Sequence, residues 1–445
     1  MARPVHPFTV SHRDILAIAL PASVAFITVP LVGIVDIAII GRLGSAALLG
    51  GIELGAVSFS LLFATAYFLR LGTAGLVAQS VGANTPDGGL SHLIRAALVG
   101  TGLGLVMLVL TPFIKMAGLA LFAPPTSAVQ DAYLTYLGVR IWSAPFVLLN
   151  FAFLGWFYGH GAAKTGMLIQ IFLNLANIGF SIWFVYGLNL SVAGVAAGTL
   201  VAEILAFVVA LVVIFWQTRH ERKARTVSLN QLLDNKALWR LFDLSRDLMI
   251  RSLVLSSCFA FFSAQMSRTG EIALASSAIL LNFMMVTAFF LDGQAQAAEF
   301  YCGKAVGANY KPAFMQSWHL AAFWGLVVGF ALFMFWLLAG PYLVDLLTTN
   351  PDVRKAAKAQ LFVASLISFT GVLAFVMDGV TTGATLNVLV RNGMVASSII
   401  FVFAAILLEK TFGLTGLWIS LHVFFIVRGA IFWFGVKAKL NTLFS

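Results

Sequence analysis

Charge is what this sequence lacks most. Asp, Glu, Lys and Arg make up only 10% of 445 residues, against about 25% in a soluble domain, so a water-soluble globular chain is excluded. Only two cysteines occur, Cys258 and Cys302, both in apolar stretches, so a disulfide framework is not indicated. The motifs of the common enzyme classes are missing too: there is no HExxH, no GxSxG in context and no metal-spaced Cys/His pair. Gly159 to Thr165, GHGAAKT, lacks the glycine before its lysine and follows an apolar run, so it is not a phosphate loop. No cofactor is expected, and any uphill work must draw on an ion gradient.

What the chain has is apolar length. Hydrophobic residues are 60% of the total, and a membrane crossing needs about 20 of them in a row. Twelve spans are expected, at roughly 14–41, 49–82, 91–121, 128–159, 162–187, 190–217, 239–268, 272–306, 313–342, 353–386, 389–410 and 413–437. The fold class is therefore all-α integral membrane, and the only sizeable polar stretch is too short for a separate domain. The N-terminal lead does not read as a signal peptide, because the apolar stretch beyond it is too long and has no small-residue cleavage site. Net charge is +10, but the Lys and Arg gather in the termini and even-numbered loops. The densest group is Arg219, Arg222, Lys223 and Arg225. That asymmetry is a topology signal, placing both termini in the cytoplasm of a multi-pass cell-membrane protein, and no nucleic-acid partner is implied.

The chain repeats itself. Val81-Gly82-Ala83-Asn84 returns as Val306-Gly307-Ala308-Asn309 at an offset of 225. Arg42-Leu43-Gly44 is answered by Arg268-Thr269-Gly270, Gly161-Ala162 by Gly383-Ala384, and Val192-Ala193-Gly194 by Leu414-Thr415-Gly416. An even number of spans per half keeps the halves in one orientation, the parallel-repeat plan of alternating-access transporters. The expected organisation is a six-helix lobe over 1–217, a basic cytoplasmic linker over 218–238 and a second six-helix lobe over 239–445, related by a pseudo-two-fold axis.

Ionisable groups within spans are the best functional signal available, because each is disfavoured by roughly 2.5–3.5 kcal/mol at mid-membrane. Asp36 stands alone in Leu31 to Gly44, LVGIVDIAIIGRLG, with Pro21 and Pro30 before it on the same helix. A proline frees a backbone carbonyl one turn back and gives a helix a place to bend. In the fifth span Asn174, Asn177 and Ser181 share one face. They are either interhelical glue or, facing Asp36, neutral oxygens that tune a carboxyl or hold a cation. In the second half Asp292 and Glu299 lie two turns apart, and with Asp378 and Arg251 they form either a polar interior site or a static clasp. Glu53, Arg70 and Arg428 are read as snorkelling at span ends, and Arg140 with Glu203 as an interhelical pair.

At these residues the sequence resembles the multidrug and toxic compound extrusion (MATE) transporters, in particular their DinF branch. Arg246-Asp247-Leu248-Met249-Ile250-Arg251-Ser252 resembles that branch's entry to helix seven. Leu291-Asp292-Gly293-Gln294-Ala295-Gln296-Ala297-Ala298-Glu299 is similar to its L-D-G-x-A-x-A-x-E word in helix eight. Asp378-Gly379, Gly383-Ala384 and Arg391-Asn392-Gly393-Met394 resemble helices ten and eleven. The resemblance implies two six-helix lobes and a cavity that alternates between faces, exporting lipophilic, often cationic compounds in exchange for protons or sodium. It implies that Asp36 is the coupling carboxylate, that Pro21 marks the bend of helix one, and that Asn177 and Thr199 belong to the polar site. The family's second aspartate, in helix five, falls on Ser181. That departure weakens a sodium cage, which needs anionic oxygens, and favours proton antiport through Asp36, although the same change fits coupling moved to Asp292, Glu299 and Asp378. The expectation is a monomeric proton-coupled exporter of amphipathic small molecules, with sodium coupling or the flipping of a lipid-linked metabolite as alternatives.

Overall fold

The computed structural model describes residues 4–41, 46–85, 87–124, 126–219 and 235–444, and no strand occurs among them. The expected linker 218–238 therefore falls largely outside the described residues, as does the word Arg42-Leu43-Gly44. Among the described residues eleven helices are long and apolar enough to cross a membrane, and one of these, Asn387–Leu443, is two. It breaks at Gly413, whose φ of 58° and ψ of −134° suit only glycine. The chain therefore makes twelve passes.

The first helix, α1, is His12–Gly41. Ser11 and Asp14 start it by a reciprocal cap: Ser11 N and Oγ donate to the Asp14 carboxylate at 2.8 and 2.6 Å, and Asp14 N donates to Ser11 Oγ at 3.3 Å. The chain stays helical through both Pro21 and Pro30. Then come α2 (Ala47–Gly82), α3 (Leu90–Val109), a short apolar helix (Thr111–Phe122), α4 (Ser127–Gly159), α5 (Ala163–Gly187) and α6 (Ser191–Thr218). Helix α4 carries a 3-10 joint at Ile141–Ser143, and α5 ends in a π turn at Trp183–Gly187. The second half is α7 (Asn235–Thr269), α8 (Glu271–Gly307), α9 (Lys311–Leu347), α10 (Pro351–Gly383), α11 (387–412) and α12 (414–443).

The repeat is visible in the backbone. Asn84 and Asn309 close α2 and α8 with φ of 49° and 50°. After α4, Gly161 N donates to Tyr158 O at 3.0 Å and Ala162 N to Phe157 O at 2.8 Å. After α10, Thr385 N donates to Thr382 O and Leu386 N to Thr381 O, both at 2.9 Å. The two caps are the same motif shifted by 224 residues, and GHGAAKT is one of them.

Packing divides the chain into two compact units. One is Ile27–Val77 with Thr85–Ser245, and the other is Met1–Phe26 and Ala78–Asn84 with Arg246–Ser445. We call them the N-terminal and C-terminal units. The first half of α1 belongs to the C-terminal unit, where it lies so close to α8 that a methyl group on Gly293 would collide with Ser23 and the Ala19 carbonyl. Ser23 Oγ also donates to Phe290 O at 3.0 Å. In the same unit a methyl on Gly82 would overlap the Lys304 carbonyl, and one on Gly307 the Gln79 carbonyl. The two copies of the repeated Val-Gly-Ala-Asn word thus cross each other at their glycines.

Candidate functional site

In the N-terminal unit, the second half of α1 is tied down at its end, where Tyr186 Oη donates to Ile39 O at 2.8 Å. Three residues back lies Asp36, only 7% exposed, and the Ile39 and Ile40 that follow it belong with Phe59 to one apolar cluster. Its Oδ1 is buried with no hydrogen-bond partner among the described residues. The charge that acts on it is Arg140, the last residue of α4 before the 3-10 joint. The Arg140 guanidinium lies 4.9 Å over the Phe59 ring and 5.4 Å over the Tyr136 ring. It donates to Tyr136 Oη through Nη1, while its Nε is buried without a partner among the described residues. An aromatic cradle of this kind holds a desolvated guanidinium without spending its hydrogen bonds on a carboxylate.

The polar face of α5 forms two separate contacts. Gln170 Nε2 donates to Asn174 Oδ1 at 3.2 Å, and Asn174 Nδ2 donates to Thr28 Oγ1 of α1 at 2.7 Å. One turn along, Asn177 Nδ2 donates to Thr199 Oγ1 at 2.9 Å, and Ser181 Oγ donates to Asn177 Oδ1 at 3.5 Å. Both contacts join neighbouring helices. Among the described residues no hydrogen bond links either of them to Asp36. Asn174, Asn177, Ser181 and Thr199 are thus brought together with one another, and Asp36 is brought to Arg140 and Tyr136.

Among the described residues Glu203 does not form the expected ion pair with Arg140. Asn150 Nδ2 donates to Glu203 Oε2 at 2.7 Å and to the Glu203 carbonyl at 3.1 Å. Arg140 still acts on Glu203 through space, so one guanidinium influences two carboxyls on different helices.

The C-terminal unit is arranged differently. Arg251 Nη2 meets Asp378 Oδ2 at 2.9 Å, and Arg428 Nη2 meets the same oxygen at 3.3 Å. Arg428 is 1% exposed and lies within 5.2 to 5.5 Å of the Phe375, Phe424 and Phe425 ring centres. The snorkelling read for it is wrong, because α12 runs on to Leu443 and leaves Arg428 far inside the span. Arg70 fails likewise: it is 6% exposed, between the Tyr67 and Tyr158 rings. Glu53 alone of the three is exposed. Arg251 also feels Asp292 and Glu299, and Gln296 Nε2 donates to Glu299 Oε2 at 3.0 Å. Of the C-terminal acids named from sequence, Asp378 is ion-paired and Asp292 and Glu299 act on Arg251 through space, and Arg428 is the member of this cluster that sequence reasoning missed. His422 is a structural link, sharing a hydrogen bond of 2.7 Å with Thr370 and one of 2.9 Å with the Val363 carbonyl. Among the described residues no group of three or more His, Cys, Asp or Glu could hold a metal ion.

Three comparisons bear on this arrangement. A family model, MatE, matches the chain twice, over residues 21–183 and 248–408, so the internal repeat is a repeat of the family's own unit. DNA damage-inducible protein F of Escherichia coli (strain K12) is 34% identical over 427 residues, covering 95% of this chain and 91% of that protein. Multidrug export protein MepA of Staphylococcus aureus (strain MSSA476) is 23% identical over 92% of this chain and 90% of its own length. A MATE crystallised in the straight conformation superposes with a TM-score of 0.87 at 17% identity, covering 97% of this chain and 96% of that one, and it shares the fold of twelve helices in two lobes.

Proposed function

The chain belongs to the MatE family of integral membrane transporters, and from that premise we propose that it is a proton-coupled antiporter exporting lipophilic cations from the cytoplasm. The observation that carries this reading is the buried Asp36, whose Oδ1 has no hydrogen-bond partner among the described residues and whose nearby guanidinium, Arg140, is bonded to Tyr136 instead. A carboxylate at membrane depth without a hydrogen bond is held only weakly in its charged form, so it can take up and release a proton as its surroundings change. Sodium is disfavoured at this place, because Ser181 stands where the family resemblance leads one to expect a second aspartate, and a sodium cage needs anionic oxygens. The multidrug role is carried over from the printed name of MepA and from the family resemblance.

In the proposed cycle the site opens alternately to the two sides through rearrangement of the six-helix lobes expected at 1–217 and 239–445, joined by the basic segment 218–238, although Met1–Phe26 and Ala78–Asn84 pack with the C-terminal unit. Both termini lie in the cytoplasm of the cell membrane, on the strength of the Lys and Arg distribution. Helix α1 would be the element that changes shape. The boundary between the two compact units falls at Phe26 and Ile27, between Pro21 and Pro30, where the missing N–H groups leave the helix least constrained. Asn177, Thr199 and Ser181, with Asn174 holding Thr28, give the second half of α1 a surface to re-form against. Protonation matters only to the extent that Asp36 binds its proton differently in the two shapes.

The test is efflux of a cationic dye from proteoliposomes under a pH gradient. Asp36→Asn is expected to abolish gradient-driven efflux, a fall of at least tenfold, with normal yield and gel-filtration profile. Undiminished efflux by this variant, or efflux in the intact protein that follows a sodium gradient and ignores a proton gradient, would overturn the reading.

A further inference from the structure

The acid that family resemblance leads one to expect at position 181 is replaced within the same unit. Ser181 is fully buried, and a methyl on Gly198 of α6 would come within 2.5 Å of its Oγ and 2.6 Å of its backbone N. Helices α5 and α6 are in near contact there, which leaves no room for a carboxylate. Thr199, the partner of Asn177, lies next to Gly198 on α6. Four residues further along is Glu203, on the same face one turn away. Its carboxylate is held by Asn150, whose own Oδ1 is buried without a partner.

The charges around it can be counted. Helix α1 brings Asp36 and the neutral Thr28. Helix α4 brings Tyr136, Arg140 and Asn150, and α5 brings only neutral Asn174, Asn177 and Ser181. Glu53 of α2 acts on Tyr136 but lies on the exposed face of its helix, outside the buried set. Lys115, from the short helix after α3, reaches Gly138 of α4, and no ion pair joins it to either acid among the described residues. The buried set is thus two carboxyls and one guanidinium. Arg140 acts on both carboxyls and is hydrogen-bonded to neither. With both ionised, the set carries one uncompensated negative charge in an apolar surrounding. One bound proton makes it neutral.

We infer that Glu203 is a second proton-exchanging carboxyl beside Asp36, that Arg140 is the counter-ion common to both, and that the set trades one proton for one monovalent organic cation. In the loaded state one carboxyl carries the proton and the other pairs with Arg140. When the cation enters, the carboxyl O–H bond breaks, the proton passes to water, and the ligand's charge takes its place, so that the set stays neutral. No further group need ionise. This inference rests on the proposed reading of Asp36.

The experiment measures protons released on binding of tetraphenylphosphonium to the purified full chain, in weakly buffered detergent with a pH indicator. The intact protein is expected to release about one proton per cation bound. E203Q leaves Asp36 and Arg140 already balanced. Its proton release should fall to near zero, its affinity for the cation should drop at least tenfold, and the affinity should no longer vary between pH 6 and 8. E203D should restore release. N150A, which removes the hydrogen bond on Glu203, should shift the pH of half-maximal release without changing the number of protons, and it decides the matter if E203Q does not elute as a single folded species. Loss of release in D36N with normal release in E203Q overturns the role of Glu203 and leaves Asp36 in place. Normal release in both variants overturns the reading of Asp36 as well, and an unshifted profile in N150A counts against Glu203.

Discussion

Two buried aspartates, one in each unit, stand in opposite electrostatic conditions. Asp378 in the C-terminal unit has one oxygen within 2.9 Å of Arg251 and 3.3 Å of Arg428. Asp36 in the N-terminal unit has a buried oxygen without a hydrogen bond, and its one nearby guanidinium is bonded to a tyrosine. A carboxylate between two guanidiniums is held in place by both, and removing it would break both pairs. A carboxylate with a spare oxygen and a half-engaged counter-ion sits near a balance that one proton can tip. The family fold is built from the same unit twice, and Oδ1 of each aspartate is buried without a hydrogen-bond partner among the described residues, yet only Asp378 carries two guanidiniums on its other oxygen. That asymmetry favours the N-terminal unit as the place of coupling and gives the C-terminal acids a structural task.

The sharpest way to break this contrast is to neutralise each acid in turn. Asp378→Asn strands two buried guanidiniums, and removing one partner of a buried pair costs about 3–5 kcal/mol. The expected result is a large fall in folded yield and in the melting temperature of the detergent-solubilised protein. Asp36→Asn removes a charge that has no hydrogen bond on one oxygen, so its melting temperature should stay near that of the intact chain, within about 1 kcal/mol. Equal losses from the two variants would mean that Asp36 is as firmly paired as Asp378.

A smaller effect tests the close helix crossing of the C-terminal unit. Gly307→Ala places a methyl against the Gln79 carbonyl, and backbone cannot yield as a side chain can. Overpacking of this kind costs about 1–3 kcal/mol. Gly179 in α5 of the N-terminal unit has open space around its Cα, so Gly179→Ala should leave the melting temperature unchanged or slightly raised, alanine being the better helix former. A neutral Gly307→Ala would show that the α2–α8 crossing is looser than drawn.

Much of this was legible in the sequence, and what was not has a physical reason. Span positions follow from apolar length, and the repeat from words such as Val-Gly-Ala-Asn, because helix ends with positive φ tolerate few residues. Asp36 could be picked out because a charge in an unbroken apolar run has no local excuse. Its surroundings could not. Asn150 lies 53 positions from Glu203, and nothing in either neighbourhood marks the other as its partner. Arg140 and Glu203 were visible as ionisable groups inside spans, but opposite charge alone suggests an ion pair, while the structure gives the arginine to a tyrosine and the glutamate to an asparagine. Arg428 was misjudged because hydropathy ends the last span too early, at the basic residues Lys437 and Lys439. The helix runs past them to Leu443, which changes a headgroup arginine into a core one. Arg70 was lost in the same way, since the hitch at Tyr67 between Ala46–Ala66 and Phe68–Gly82 sits in the middle of one long span.

The smallest expected effect lies outside the membrane, where the two copies of the repeat start their next helix by different means. In the C-terminal copy, α9 begins with Pro312 in its first turn, a residue that needs no acceptor for its missing N–H. In the N-terminal copy, Asp87 does the work before α3. Its carboxylate accepts from Gly89 N at 3.2 Å, Ser91 N at 3.2 Å and Thr85 Oγ1 at 3.0 Å. Burial opposes its ionisation, but these hydrogen bonds outweigh that and hold the carboxyl below its ordinary value of 3.8. A carboxyl with a lowered folded-state value adds stability that is fully present above its unfolded value and lost as the pH falls through the folded one. Asp87→Asn should therefore lower stability by about 1 kcal/mol at neutral pH, the usual worth of such a cap. The gap from the intact chain should persist down to about pH 4 and close below it. Thermal melts of the two proteins in detergent at a series of pH values would show this, and a gap that stays constant through the acid range would mean that the carboxylate charge contributes nothing at this turn.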